Sequence, residues 1–242
     1  MLIFALSHEC YCVKKFWPLF ATFNISKTLL SLKTFTFNPF QENTYLLADD
    51  SSKECILFDP GCSNKAEEQE LKNYIESARL TPTLLVNTHC HIDHILGNYF
   101  VAITWNLPLH LHRNELMTMQ QSSLWGQSMG MDPGSPVSQH IYIDEGDILP
   151  LGKEKIEMLF TPGHSVASLS FYHKNQHLLI AGDVLFRESI GRTDLPGGDF
   201  ETLVQSIRTK LYILPDETHV YPGHGPHTTV GFEKQNNPFV KG

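Results

Sequence analysis

The sequence predicts an α/β fold of four layers, an αββα sandwich of two β-sheets face to face with helices outside. Three observations carry that expectation. The chain runs twice through one order: short strands, an amphipathic helix, then a further strand. Three strands end in a tight turn followed by a histidine or an aspartate, over 159–164, 179–183 and 220–224. The chain has 242 residues, 41% of them hydrophobic, enough for a substantial core, yet no apolar run reaches the roughly 18 residues of a membrane span.

Residues 1–30 do not follow this order. Met1–Leu6 is apolar, but no basic region precedes it and no small-residue cleavage site follows, so it does not read as a secretory leader. Lys14 and Lys15 beside aromatics are thin ground for membrane contact. An N-terminal extension outside the fold is expected, followed by a single domain over 31–242.

Leu32–Phe37, Asn43–Ala48 and Cys55–Phe58 alternate as strands do, with 49–53 as a hairpin turn and Asp59-Pro60-Gly61 as a stop. Asn64–Arg79 is expected to be a helix. Leu71, Tyr74, Ile75 and Ala78 recur at helical spacing, and Asn64 with Glu67 forms a capping box. Thr83–Val86 reads as a buried strand and Ile95–Phe100 as a helix start. Leu107–Leu111 is a strand, and Arg113–Leu124 a helix. His110 and His112 are expected to be partly exposed strand histidines rather than ligands. The segment 126–141, rich in Gly, Pro, Ser, Gln and Met, is either a lid over a site or a plain surface excursion. Strands resume at Glu154–Phe160, Ser168–Tyr172 and Leu178–Ala181. Asp199 caps a helix whose apolar face is Phe200, Leu203, Val204, Ile207, Leu211 and Leu214, and Thr218–Tyr221 is the last strand.

The formal charge of -8 argues against a general affinity for nucleic acid. The five cysteines, Cys10, Cys12, Cys55, Cys62 and Cys90, include no metal-type CxxC pair. Their odd number suits free thiols in a reducing compartment, the cytoplasm. Cys90 alternates with His89 and His91 along an extended segment, so its side chain points away from theirs into packing.

Chemistry concentrates at Thr88–His94, where three histidines and one aspartate fall within a few positions. Imidazole with carboxylate suits zinc, iron or manganese. His89 and His91 can hold one ion while Asp93 and His94 turn toward another. His164, Asp183 and His224 each follow a strand and a glycine, which lets the backbone turn sharply, with proline setting two of the turns. Together these make seven ligand-type residues at strand ends.

The motifs His89-x-His91-x-Asp93-His94, Thr161-Pro162-Gly163-His164-Ser165, Gly182-Asp183 and Pro222-Gly223-His224-Gly225 resemble, in order, those of the metallo-β-lactamase fold superfamily. Residues 191–199 and the tail carrying Glu233 and Asn237-Pro238-Phe239 are similar to the short hydroxyacylglutathione hydrolase-like (glyoxalase II-like) proteins. The resemblance implies a first metal site of His89, His91 and His164, a second of Asp93, His94 and His224, and Asp183 bridging both. It implies two divalent ions, zinc foremost with iron or manganese as alternatives, and a metal-bridging hydroxide that attacks an acyl thioester such as a hydroxyacylglutathione. Asp93 and Asp183 would be the catalytic carboxylates. Asp59 would position a ligand histidine, unless it only caps its turn. Arg192 would pair with Asp194 or meet an anionic substrate. The partner expected is a small-molecule thioester, not nucleic acid and not a membrane.

The chain departs from the full-length glyoxalase II pattern. Only 18 residues follow His224, with Lys234 and Lys241 their only cations, so the glutathione-holding helical domain is not expected and the thiol is left open. A persulfide dioxygenase of the same fold, with one iron on His89, His164 and Asp183, is the first alternative. An RNA-processing nuclease is disfavoured by the acidic charge. A β-lactamase is disfavoured by Asp183, where one major class has cysteine. A noncatalytic metal-binding module would predict at least one degraded ligand position, and none of the seven is degraded.

Overall fold

The computed structural model describes residues 30–242. The expected N-terminal extension, with Cys10 and Cys12, lies outside the described residues except for Leu30. In chain order the strands are β1 (Leu30–Phe37), β2 (Glu42–Asp49), β3 (Glu54–Phe58), β4 (Thr81–Val86), β5 (Leu109–Leu111), β6 (His140–Tyr142), β7 (Ile148–Leu151), β8 (Glu154–Phe160), β9 (Leu169–His173), β10 (Leu178–Gly182), β11 (Leu185–Phe186), β12 (Ser189–Ile190), β13 (His219–Pro222) and β14 (Thr228–Thr229). The helices are α1 (Lys65–Ser77), α2 (Ile92–Ile95), α3 (Asn98–Trp105), α4 (Glu115–Ser128), α5 (Phe200–Ser206) and α6 (Val230–Asn236).

The strands form two six-stranded sheets, β1-β2-β3-β4-β5-β6 and β14-β13-β10-β9-β8-β7, with β11 and β12 as a separate hairpin. Alternation along the strands explains the layering. Tyr45 and Leu47 of β2, Ile56 and Phe58 of β3, and Val86 of β4 face the second sheet and pack on Ile156, Met158, Leu169, Phe171 and Ile180. Their neighbours Leu46, Ala48, Cys55, Leu57 and Leu85 face outward onto Leu71 and Ile75 of α1 and Val101 of α3. On the far side, Leu179, Ala181 and Val220 pack under Leu203, Val204, Ile207 and Val230. The central strands are thus apolar on both faces because each sheet is covered twice, as the four-layer expectation requires. No helix among the described residues is long and apolar enough to cross a membrane.

Several boundaries differ from expectation. The helix after the histidine cluster starts inside it, because α2 already contains Asp93 and His94. The Asn64 side chain caps α1 by accepting from Ala66 and Glu67, but Glu67 reaches back to the Ser63 amide at 2.7 Å, so the capping box is only half formed. Helix α4 runs to Ser128 and β6 begins at His140, so the loop expected over 126–141 is trimmed at both ends. The helix capped by Asp199 does not continue uniformly to Leu214. It passes at Ile207 into a π-helical turn ending at Leu211, which keeps Ile207 and Leu211 buried, while Phe200 at its start is 43% exposed. The edge strands β6, β7 and β14, the hairpin β11–β12 and α6 carry too few alternating residues to announce themselves.

Candidate metal centre

All seven ligand-type residues converge at one end of the sandwich, beyond the carboxyl ends of β4, β8, β10 and β13. The two sheets are stitched there by Leu169 N–H donating to the Thr88 carbonyl at 2.8 Å and Asn43 N–H to the Gly223 carbonyl at 2.7 Å. Two glycines permit the close approach. Gly182 has φ +53°, and a Cβ there would strike the Thr88 hydroxyl; a Cβ at Gly223 would strike the Asp183 carboxylate.

His89, His91 and His164 form one group. His164 Nε2 lies 2.8 Å from His91 Nδ1 and 3.2 Å from His89 Nε2. Asp93, His94 and His224 form the other, with His224 Nε2 3.1 Å and His94 Nε2 3.6 Å from Asp93 Oδ2. Asp183 reaches both groups. Its Oδ2 is 3.4 Å from His164 Nε2 and 3.5 Å from His224 Nε2, and its Oδ1 is 3.5 Å from His94 Nε2.

The outer hydrogen bonds decide which ring nitrogens carry protons. His164 Nδ1 donates to the Arg192 carbonyl at 2.8 Å, and His224 Nδ1 to the Phe40 carbonyl at 3.1 Å. His94 Nδ1 donates to Asp59 at 3.1 Å. The Thr88 hydroxyl donates to Asp59 at 2.6 Å and so accepts from His89 Nδ1 at 3.0 Å. Every neutral ring in this set turns an Nε2 lone pair inward. Lone pairs on His89 and His164 then face each other, with His91 Nδ1 2.8 Å from the second, while His94 and His224, held protonated by the adjacent carboxylates, turn Nε2 toward Asp93 and Asp183. His94 Nε2 and Asp183 Oδ1 are buried without a hydrogen-bond partner. Divalent cations among these inward nitrogens and carboxylates would give the unpartnered atoms their partners. The donor set, imidazole and carboxylate, fits divalent transition metals.

Charge is divided between the two groups. Burial, with the neighbouring imidazoles, holds His89 well below the usual histidine range and His91 at about 3. Burial also opposes the charged forms of His94 and His224, but the adjacent carboxylates, Asp93 and Asp183, outweigh it and raise both. Burial pushes Asp183 and Asp93 up, and the imidazoles around them, His94 foremost, carry both below the ordinary carboxylate range.

Asp59, with φ +46° and 2% exposed, also accepts from the Thr88 amide at 2.7 Å and from Asn87 Nδ2 at 3.3 Å. Its carboxylate accepts nothing from the Pro60-Gly61 turn, whose Gly61 amide donates to the Thr44 hydroxyl at 2.8 Å, so of the two roles set against each other it holds a histidine and does not cap its turn. Arg192 is closed onto Asp194 by two bonds, at 2.7 and 2.6 Å, and what it gives the centre is its backbone carbonyl. His110 and His112 are not partly exposed; they are 6% and 8% exposed, and they stand apart from the centre. His110 Nδ1 donates to the Leu85 carbonyl at 3.0 Å, and His112 Nδ1 accepts from the Asn114 amide at 3.1 Å. Cys90 is buried in the core between the first sheet and its helices.

Two buried carboxylates at the centre went unpredicted. Glu42 lies wholly inside; Oε2 accepts from the Thr44 hydroxyl at 2.9 Å, and Oε1 is 4.0 Å from His94 Nδ1. Burial raises its pKa well above the usual range. Glu115 binds the segments on either side of the three-imidazole group. Neither belongs to a local motif, and the partners of Glu115 are 25 to 52 residues away in the chain.

The chain belongs to the metallo-beta-lactamase superfamily, whose family model matches residues 37–224. Among its relatives, a protein of Bacillus subtilis named probable metallo-hydrolase YqgX is 43% identical over 206 residues, covering 84% of this chain and 94% of that one. The hydroxyacylglutathione hydrolase GloC of Haemophilus influenzae is 33% identical over 217 residues, covering 87% and 98%. A crystal structure of TTHA1623 in a di-iron-bound form is similar with a TM-score of 0.76 and 34% identity, covering 86% of this chain and all of that one.

Proposed function

We propose that this protein hydrolyses acyl thioesters with a pair of divalent metal ions. The observation that carries the reading is Asp183, whose two oxygens reach His164 on one side and His94 on the other. His89, His91 and His164 would hold one ion, Asp93, His94 and His224 the second, and Asp183 both. A two-metal site of this kind lowers the pKa of bound water toward about 7 and polarises a carbonyl oxygen. Zinc suits the donor set best; iron is supported by the di-iron relative, and manganese shares the chemistry.

The chain's own residues set the rest. His89 and His94 are fully buried, whereas the side chains of Asp93 and His224 are 14% and 27% exposed, so substrate enters past the latter pair. Asp93 faces that mouth as a carboxylate, placed to hold the nucleophile's proton and orient attack. Phe186 stands edge-on to His224 at 6.3 Å and shields that side from water. A thiolate leaves readily at neutral pH, its thiol having a pKa near 8.5, so no general acid is required. Glutathione as the thiol is favoured by the likeness to GloC. A small-molecule thioester, rather than nucleic acid, also accords with the net charge of -8, and the cysteine usage favours the cytoplasm.

The test is hydrolysis of a 2-hydroxyacyl-glutathione and of the same acyl group on a second thiol, by protein stripped with chelator and reloaded with zinc or iron. Thioester cleavage that returns with metal supports the reading. Metal binding without cleavage of any thioester overturns it.

A further inference from the structure

Glu115 opens α4 and is only 1% exposed. Its Oε2 accepts the Cys90 amide at 3.0 Å. Its Oε1 accepts the Ser165 hydroxyl at 2.6 Å and the Ala167 amide at 2.9 Å. Cys90 lies between His89 and His91, and Ser165 directly follows His164. All three members of the imidazole group are thus suspended from one buried carboxylate. Cys90 follows β4 of the first sheet and Ser165 follows β8 of the second, so this carboxylate also joins the sheets at the centre. Ser165, having donated its proton to Glu115, accepts from Ser168 at 2.8 Å. At the other end of α4, Gly126 lies against Ile92, where a Cβ would come within 2.5 Å of Cδ1. The helix therefore grips the metal-binding segment at two points.

A carboxylate in such a place is costly unless donors surround it. Here two amides, one hydroxyl and the N-terminus of a 14-residue helix supply them. An apolar side chain would fill the same space, but only an acceptor with two directed oxygens fixes both backbones at a set separation. None of its hydrogen bonds reaches Asp93, His94, Asp183 or His224.

We propose that Glu115 is a positioning residue for the three-histidine half of the centre alone, setting the distance of His89 and His91 from His164 and with it the metal affinity of that half. The proposal rests on the two-metal reading above. Glutamine cannot replace it, because each carboxylate oxygen receives a backbone N–H, and either orientation of the amide turns its NH2 against one of them.

The test is stepwise cobalt titration of chelator-stripped protein in two backgrounds. H224A leaves the three-histidine half, and H91A leaves the other. Adding E115Q should weaken cobalt binding roughly 10–100-fold in the H224A background and leave the H91A background within about twofold. Should E115Q not fold, S165A removes one donor and keeps the charge; it should weaken the same half roughly tenfold. Equal losses in both backgrounds, or none in the H224A background, would overturn the proposal. Wild-type protein that binds no metal would instead overturn the reading beneath it.

Discussion

Asp59→Asn should loosen both metal sites without unfolding the protein. Asp59 Oδ1 receives the Thr88 amide at 2.7 Å, so an asparagine must place its carbonyl oxygen there. Its NH2 then replaces Oδ2, which now accepts from the Thr88 hydroxyl at 2.6 Å and His94 Nδ1 at 3.1 Å. His94 must accept at Nδ1 and move its proton to Nε2, which faces the centre. The Thr88 hydroxyl must likewise accept from the amide and donate to His89 Nδ1, 3.0 Å away, driving that ring to the same wrong tautomer. Second contacts of this kind are worth about 10–100-fold in metal affinity, or roughly 1.4–2.7 kcal/mol per site. The backbone should tolerate the change, since asparagine accepts the left-handed φ of +46° as readily as aspartate. Loss of bonds to a charged acceptor should cost about 1.5–3 kcal/mol of stability. Calorimetric zinc titration of stripped D59N, beside a thermal melt, checks this. A folded D59N that binds two ions with wild-type affinity would refute the tautomer argument.

Asp183→Ala removes the carboxylate that stands between His164 of one group and His94 and His224 of the other. It should release metal from both halves and cut hydrolysis by at least about 100-fold; a variant holding two metals with normal turnover refutes the bridge. His110→Ala should leave metal content and turnover unchanged and cost about 1–2 kcal/mol in denaturant unfolding, because the ring is buried on the Leu85 carbonyl away from the centre. The metal-free protein should be most stable near pH 6.5. Below it the unfolded chain takes protons that buried His89 and His91 refuse, His91 down to about 3, so stability falls with pH. Above it His94 and His224, whose folded pKa values are raised by Asp93 and Asp183, lose the protons that stabilise them, so stability falls as pH rises. Melts of stripped protein from pH 5 to about 9 would contradict this if stability rose monotonically.

The seven ligand-type residues were legible because each sits where a local signal exists. His164, Asp183 and His224 each follow a strand and a glycine turn, and the other four crowd into 89–94 just after the apolar run 83–86. The double layering was legible from the order of elements, short strands, an amphipathic helix and a further strand, met twice along the chain. What the sequence hid depends on distance. Glu115 meets Ser165 and Ala167 only after two sheets have packed, and Glu42 meets His94 only once β2 and β4 lie in one sheet, so neither acid differs locally from a surface one. Helix α4 overran its expected end because its apolar residues go all round, with Leu116 and Met119 against the core and Leu124 and Trp125 exposed, leaving no face to mark a stop. His110 and His112 were expected in partial solvent, yet β6 covers β5, and three residues are too few to predict that edge.

The proposed function needs two metal ions that share Asp183 and together serve thioester cleavage. Its most direct measurement is thioester hydrolysis by stripped protein as metal is added back in known equivalents. Activity should climb to its plateau as the second equivalent binds. A plateau at one equivalent, or two ions bound with no thioester cleaved, would contradict it.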